Sequence, residues 1–310
     1  MKLDLSLLKR RRIAVLFGGA SSEREISIRS SAAVRGALRR LGLPHGAIDL
    51  SPRVAETLRR QKINLVFLTT HGTTGEDGRL QGLLDVMGIP YTGSGVRASA
   101  LAMHKPTAKR LFESAGLATP RWTVFRKGEE ASLAAAGLSL PLVIKPAGQG
   151  SAVGVTVART RAGVRAGLAA SWRLEDEALV EEYVSGPEIT VGLLGDRVLP
   201  VVEIVPSHSF YDFHSKYAPG GSRHLIPARV SEATRRNAQE MAVAAFHLLG
   251  CRHMGRVDLL VGKNGRPTLL EVNTLPGMTD TSLLPDAARA AGVSFDSLVG
   301  TLLTLALRDS

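Results

Sequence analysis

Residues 255–273 read GRVDLLVGKNGRPTLLEVN, and the two carboxylates in this stretch decide how the rest of the chain is read. The apolar runs at 257–261 and 268–272 flank Lys263-Asn264-Gly265-Arg266, and Asn-Gly between such runs predicts a hairpin with a two-residue turn. With Asn264 and Gly265 central, Lys263 opposes Arg266, Val261 opposes Thr268, and Asp258 opposes Glu271. Side chains alternate along a strand, so Arg256 shares a face with Asp258, and Asn273 shares it with Glu271. Like charges at opposed positions repel, so this face either lies in solvent or holds a cation. Two carboxylates and an amide oxygen are hard ligands suited to Mg²⁺, which keeps several waters and bridges to substrate phosphates. Pro267 falls at a non-hydrogen-bonded pair, where its missing N–H costs no ladder bond.

At 310 residues the chain exceeds one ordinary core and predicts two or three domains, with 44% apolar residues to fill them. One cysteine, Cys251, allows no internal disulfide and has no zinc-site spacing around it, which points to a reducing cytoplasm. The basic cluster at 9–12 follows a very short apolar stretch, the reverse of a signal peptide, and no run approaches spanning length. Neither export nor a membrane partner is expected. A formal charge of +11 invites a nucleic-acid reading, but the remaining basic residues come as singles and pairs such as Arg39-Arg40, Arg59-Arg60 and Arg235-Arg236. Aromatics are 5% and do not interleave with them, so no stacking platform is visible and no nucleic-acid partner is expected. Solvated helix faces account for the charge, with attraction for anionic small substrates a secondary effect.

Residues 1–95 alternate β and α signals, with strands at 13–17 and 64–69 and helices at 23–41 and 80–87, which predicts a small parallel α/β domain. Ser22 as N-cap with Glu25 three residues on reads as a capping box. Gly18-Gly19 before it is a tight turn without G-x-G-x-x-G spacing, so a dinucleotide site is not expected. A central unit over 96–188 has a helix at 98–114, strands at 122–125, 142–145, 155–158 and 179–183, and a helix ending near 171. The last unit, 189–310, has strands at 189–194 and 198–205, an irregular segment at 206–229, then helix, hairpin and helices. So long an irregular segment in a compact domain, rich here in aromatics, predicts an active-site lid.

Between the strands at 140–145 and 155–158, residues 146–154 hold three glycines and Ser151. A Walker A loop opens a helix with Gly-Lys-Ser/Thr, and this one does not. It reads either as a plain turn or as a flap whose N–H groups cover a triphosphate while Lys145 supplies charge. Lysine strand, glycine flap, the acidic strand at 180–184, then Arg256-x-Asp258 and Glu271-x-Asn273 together resemble the ATP-grasp superfamily and, within it, the D-alanine:D-alanine ligases. FGGASSEREIS (17–27), HGTTGEDG (71–78), YTGSG (91–95), EITV (188–191), FYD (210–212), Lys216-Tyr217 and EVNTLPGM (271–278) extend the likeness over nearly the whole chain. The resemblance implies an α/β and α+β fold of three domains, with ATP held between the central and C-terminal ones, and a homodimer built through the N-terminal region.

It also implies a reaction. ATP phosphorylates the carboxylate of one D-alanine, and the amine of a second attacks the acyl phosphate, giving the dipeptide for peptidoglycan. By the same resemblance Asp258, Glu271 and Asn273 hold two Mg²⁺ ions, for which Mn²⁺ may substitute, and Arg256 with the Gly277 N–H forms the oxyanion site. Arg256 alternatively pairs with Asp258. Lys105 and Lys145 face the α- and β-phosphates and Lys216 the γ-phosphate. The edge formed by Glu181, Glu182, Tyr183 and Val184 receives adenine, and Glu188 the ribose. Glu23 binds the first ammonium, with Ser151 and Tyr217 hydrogen-bonded to it, although a first-turn carboxylate also stabilises a helix by itself. His71 lies on the substrate side and Ser282 receives the second carboxylate. Three positions depart from the family pattern: His104 before Lys105, Ala152 in the flap, and Asp280-Thr281 before Ser282. Tyr217, in place of phenylalanine or a different lid, implies the dipeptide and not the D-alanyl-D-lactate ester. A different carboxylate–amine ligase, a nucleic-acid binder and an ATP-binding regulator without chemistry are the competing readings.

Overall fold

The computed structural model describes residues 5–129, 132–133, 136–206, 221–279 and 281–309. After helix α1 (Leu5–Lys9), strand β1 (Ile13–Phe17) is apolar throughout because it is the middle of a parallel sheet, between β2 (His45–Asp49) and β3 (Leu65–Leu68). Helices α2 (Arg24–Arg40), α3 (Val54–Arg60) and α4 (Arg79–Val86) complete the expected parallel α/β unit. Strand β2 and helix α3 are additions to it. The β2 sequence HGAID buries only Ile48 and so carries no apolar run to reveal an edge strand. Arg39, Arg40, Arg59 and Arg60 lie in the last turns of α2 and α3, where the helix dipole favours cations.

The helix expected at 98–114 is two helices, α5 (Val96–Met103) and α6 (Lys105–Ser114). Pro106 forces the break, because its ring cannot follow the preceding turn and it has no N–H to give. His104 turns extended and caps α6, accepting from the Thr107 N–H at 3.4 Å. A four-stranded antiparallel sheet follows, made of β4 (Trp122–Arg126), β5 (Leu142–Pro146), β6 (Thr156–Ala158) and β7 (Glu177–Glu182) in the order β4-β7-β5-β6. Helix α7 (Arg161–Ser171), capped by the Thr160 hydroxyl, covers it.

The third sheet runs β11-β10-β8-β12-β13, from β8 (Glu188–Leu194), β10 (Val202–Pro206), β11 (Ser222–Leu225), β12 (Met254–Val261) and β13 (Pro267–Asn273), with β9 (Arg197–Val198) paired to β8. The strand expected at 198–205 is thus split around Pro200, and part of the segment expected to be irregular at 206–229 is the strand β11. Residues 207–220, with Lys216 and Tyr217, lie outside the described residues, as does Asp280. Helices α8 (Glu232–Leu249), α9 (Leu283–Ala290) and α10 (Phe295–Arg308) complete the chain. Helices α5, α6 and α8 pack on the third sheet, whereas α9 and α10 share a core with β1 and β3.

The hairpin's register differs from expectation near its turn and agrees at its functional end. Gly265, in the left-handed conformation at φ 74°, closes a three-residue loop in which the Gly262 N–H donates to the Arg266 carbonyl at 3.0 Å. Val261 therefore opposes Pro267, not Thr268, and a β-bulge between Asp258 and Leu259 accommodates Leu270 as the extra residue of β13. The bulge cancels the shift, so Asp258 faces Glu271 and Arg256 faces Asn273. Pro267 still loses no bond, since the Val261 N–H opposite it donates to the Pro187 carbonyl at 3.0 Å on the other side.

Gly186, just before β8, lies at φ 155°, and a Cβ there would stand 1.8 Å from the Val261 carbonyl oxygen. Gly186→Ala is expected to lower stability by about 1–3 kcal/mol in urea unfolding through forced backbone displacement. An unchanged midpoint would show that the β8–β12 approach yields freely.

Candidate active site

Two cavities meet inside the molecule. The larger, about 350 Å³, lies between the sheet containing β5 and β7 and that containing β10, β12 and β13. The smaller, about 80 Å³, lies between the start of α2, the residues around His71 and the segment that follows β13. Lys105 and Glu271 line both, with Lys105 Nζ 3.7 Å from Glu271 Oε2. The helix break at Pro106 makes this junction, since it starts α6 at Lys105, whose backbone N–H donates to the Ala147 carbonyl at 2.9 Å.

One side of the larger cavity is backed by a cluster of ion pairs. Lys145 on β5 ion-pairs with Glu181 Oε1 on β7 at 2.5 Å, and Lys109 on α6 reaches Glu181 Oε2 at 3.1 Å. Burial raises a carboxylate, yet Lys109 and Lys145 together hold Glu181 below its usual range. Burial alone would lower the Lys145 ammonium, but Glu181, Glu271 and Glu188 hold it above. Lys109 is lowered, burial outweighing Glu181. Tyr183, Val184 and Glu188 line the same cavity beyond β7, and Glu182 there ion-pairs with Arg121. Leu260 and Leu270 supply apolar surface, so the bulge residue of β13 lies on the cavity wall.

Asp258 and Glu271 stand on the cavity side of the hairpin, each faced by a cation. Arg256 Nε and Nη2 donate to the two Asp258 carboxylate oxygens at 2.9 and 2.8 Å, and the Thr190 hydroxyl donates to Asp258 Oδ1 at 2.6 Å. The alternative pairing of Arg256 with Asp258 is therefore present, while Arg256 also lines the smaller cavity. Asn273 holds its Oδ1 on the Leu275 N–H at 3.0 Å. Among the described residues no cluster of three or more His, Cys, Asp or Glu could hold a metal. The available donors are these two opposed carboxylates and the amide, a hard oxygen set where the two cavities meet, and they fit Mg²⁺.

The glycine flap carries Ser151 and Ala152 at φ 51° and 58°, a conformation unusual for residues with a Cβ. At its base Glu175 accepts from the Gly148 N–H at 2.7 Å and the Gln149 amide at 2.8 Å. At its tip the Ser151 hydroxyl donates to Glu23 Oε1, as expected for this pair. Glu23 itself sits at the N-cap of α2 without capping it, so the anticipated capping box at Ser22 does not form. A turn from Ser21 to Arg24 starts the helix instead and presents the Glu23 carboxylate to the smaller cavity.

In that cavity His71 stands 3.5 Å from Glu76 Oε1 and 3.5 Å from the Ser30 hydroxyl. Burial lowers its imidazole, but Glu76 and Glu23 outweigh burial and Arg256, leaving it raised above 6.5. A Cβ on Gly277 would meet Ser282 Oγ at 2.7 Å and force that hydroxyl to shift, and Ser282 Oγ accepts from the Thr279 N–H at 3.0 Å. The Met278 N–H donates to Ser30 at 3.2 Å, tying this segment to α2. Sixteen of the eighteen site residues expected from sequence line one or other cavity; Lys216 and Tyr217 fall outside the described residues. Glu76, Glu175 and Lys109 were not anticipated. Glu76 lies five residues after His71 in a motif already singled out, which was a usable signal, whereas a lysine inside a polar helix carries none.

Comparisons with known proteins identify the family. A family profile described as "D-ala D-ala ligase C-terminus" matches residues 111–304, and "D-ala D-ala ligase N-terminus" matches 45–94. The chain is 46% identical over 299 residues to the D-alanine–D-alanine ligase of Geotalea uraniireducens, covering 96% of each. With that of Desulforudis audaxviator it shares 47% over 302 residues, covering 96% of this chain and 98% of the relative. The fold is similar to a crystal structure of the Bacillus anthracis enzyme, with TM-score 0.85 and 31% identity over 96% of this chain and 98% of that one. A second structure of that enzyme, complexed with ATP, also gives TM-score 0.85. By this length and level of likeness, the chain belongs to the D-alanine–D-alanine ligase family.

Proposed function

We propose that this chain joins two D-alanines into D-alanyl-D-alanine for peptidoglycan, converting ATP to ADP and phosphate. The observation that carries the reading is the meeting of the two cavities at Lys105 and Glu271, which places a nucleotide-sized space end to end with an amino-acid-sized one. ATP occupies the larger, with adenine along the edge from Glu181 through Glu182 and Tyr183 to Val184, ribose at Glu188, and phosphates at Lys145 and Lys105. Asp258, Glu271 and Asn273 would hold two Mg²⁺ ions, or Mn²⁺ in their place. Bound there, the metal supplies charge that neutralises the phosphates as they react.

The first D-alanine sits in the smaller cavity with its ammonium on Glu23, held in place by Ser151, beside His71. Its carboxylate oxygen takes the γ-phosphoryl group, and ADP leaves. The amine of the second D-alanine, whose carboxylate Ser282 receives, then attacks the acyl carbon, and phosphate departs with the carboxylate oxygen. Arg256 and the Gly277 N–H stabilise the oxyanion between these events, preorganised donors being worth most in a water-excluded site. Lys216 and Tyr217 belong to the lid, Lys216 on the γ-phosphate and Tyr217 favouring the amine nucleophile. The working division is an N-terminal substrate domain (1–95), a central flap domain (96–188) and a C-terminal domain with metal site and lid (189–310), with α5, α6, α9 and α10 packing across these limits. The enzyme is a cytoplasmic homodimer through its N-terminal region, with no nucleic-acid partner and no segment inserted in a membrane. Among the described residues no single helix is long and apolar enough to cross one.

Phosphate release from Mg-ATP is expected to require D-alanine, to yield D-alanyl-D-alanine, and to fall by about 10²-fold or more in Glu271→Gln. Release supported only by another amino acid would keep the ligase chemistry and overturn the substrate. NMR titration of His71 is expected to move to lower pH in Glu76→Gln, since the carboxylate that favours its protonated form is gone; an unmoved titration would remove Glu76 from the site's electrostatics. A monomer mass in light scattering at micromolar concentration would sink the dimer.

A further inference from the structure

Lys109 lines neither cavity and is fully buried, one helical turn after Lys105 on α6. Its ammonium stands 3.1 Å from Glu181 Oε2, donates to the Thr119 hydroxyl, and lies 3.5 Å from the Pro120 carbonyl. The other oxygen of Glu181 holds Lys145. Thr119 in turn donates to the Leu269 carbonyl at 2.9 Å, and the Leu269 N–H donates to Ala118 at 2.8 Å, two residues before Glu271 on β13. A buried lysine is costly unless paired, and one carboxylate would suffice to pair Lys145 alone. With Lys109 on its second oxygen, Glu181 is shared between two lysines and neutralises Lys145 only in part, whereas without Lys109 the whole carboxylate falls to Lys145. Low dielectric magnifies that difference at the cavity wall.

We infer that Lys109 is a positioning residue for the nucleotide: by holding the second oxygen of Glu181 it leaves Lys145 less than fully neutralised towards phosphate. This rests on the larger cavity being the ATP site. Lys109 touches no substrate in this account. It acts through Glu181 and Lys145.

The test is steady-state kinetics of the full-length enzyme carrying Lys109→Met, which keeps the length and removes the charge. The KM for Mg-ATP is expected to rise by about tenfold or more, with kcat changed by less than about threefold and the KM for D-alanine unmoved. Glu181→Gln and the double variant complete the cycle. If Lys109 acts through Glu181, Lys109→Met adds no further rise in the KM for Mg-ATP once Glu181 is neutral. Lys109→Gln, which removes the charge but keeps a group able to hydrogen-bond to Glu181 and Thr119, covers a Lys109→Met protein too unstable to assay, and the same rise in the KM for Mg-ATP is expected of it. An unchanged KM for Mg-ATP in Lys109→Met, or a full additional tenfold rise in the double variant, would overturn the inference. If Glu181→Gln and Lys145→Met likewise left the KM for Mg-ATP unchanged, the placement of ATP in the larger cavity would fail instead.

Discussion

Everything in this molecule converges on the pairing of β12 with β13, which sets Asp258 against Glu271 where two cavities join. Opposed carboxylates repel, and a fold keeps them only when cations are brought to the same place. Here one comes from the strand itself, as Arg256, and one from a helix that starts at the correct point, as Lys105. The surrounding architecture reads as the means of delivering those charges. The Pro106 break aims Lys105, β8 supplies the Thr190 hydroxyl, and the bulge at Leu270 restores the opposition that the turn would otherwise have lost by one residue.

The same charge logic extends outward in layers. Behind the cavity wall, Lys109 and Lys145 hold the Glu181 carboxyl low and Glu181 holds the Lys145 ammonium high, although all three are removed from water. At the flap, Glu175 holds the base and Glu23 the tip, so a loop with two residues in left-handed conformations is anchored at both ends by carboxylates. In the smaller cavity, Ser30 links α2 to His71 and to the segment after β13, so the N-terminal sheet and the hairpin share a wall. That wall has an apolar counterpart in the common core of α9 and α10 with β1 and β3.

Much of this was legible because periodicity and charge pointed the same way. The apolar run of β1, the hairpin and the carboxylate face follow from spacing, whereas the lysine before the glycine flap stood out only through the family resemblance. Where the reading departed, competing local physics had won. Asn264-Gly265 favoured a two-residue turn, and Gly265 instead took the left-handed place in a three-residue one, with the bulge hiding the error at Glu271. Ser22 and Glu25 matched a capping box, but a tight turn at Ser21 began the helix and left Glu23 at its cap for another use. Edge strand β2 has no apolar run, and Lys109 is indistinguishable in sequence from a solvated lysine, since only tertiary packing brings Glu181 to it.

The central claim is that one phosphoryl group crosses from the larger cavity to the smaller. The most direct measurement is oxygen tracing: D-alanine labelled with ¹⁸O in its carboxylate is turned over with unlabelled Mg-ATP, and the released phosphate is analysed by mass. The account predicts one labelled oxygen in each phosphate released per dipeptide formed. Dipeptide accompanied by unlabelled phosphate would contradict it.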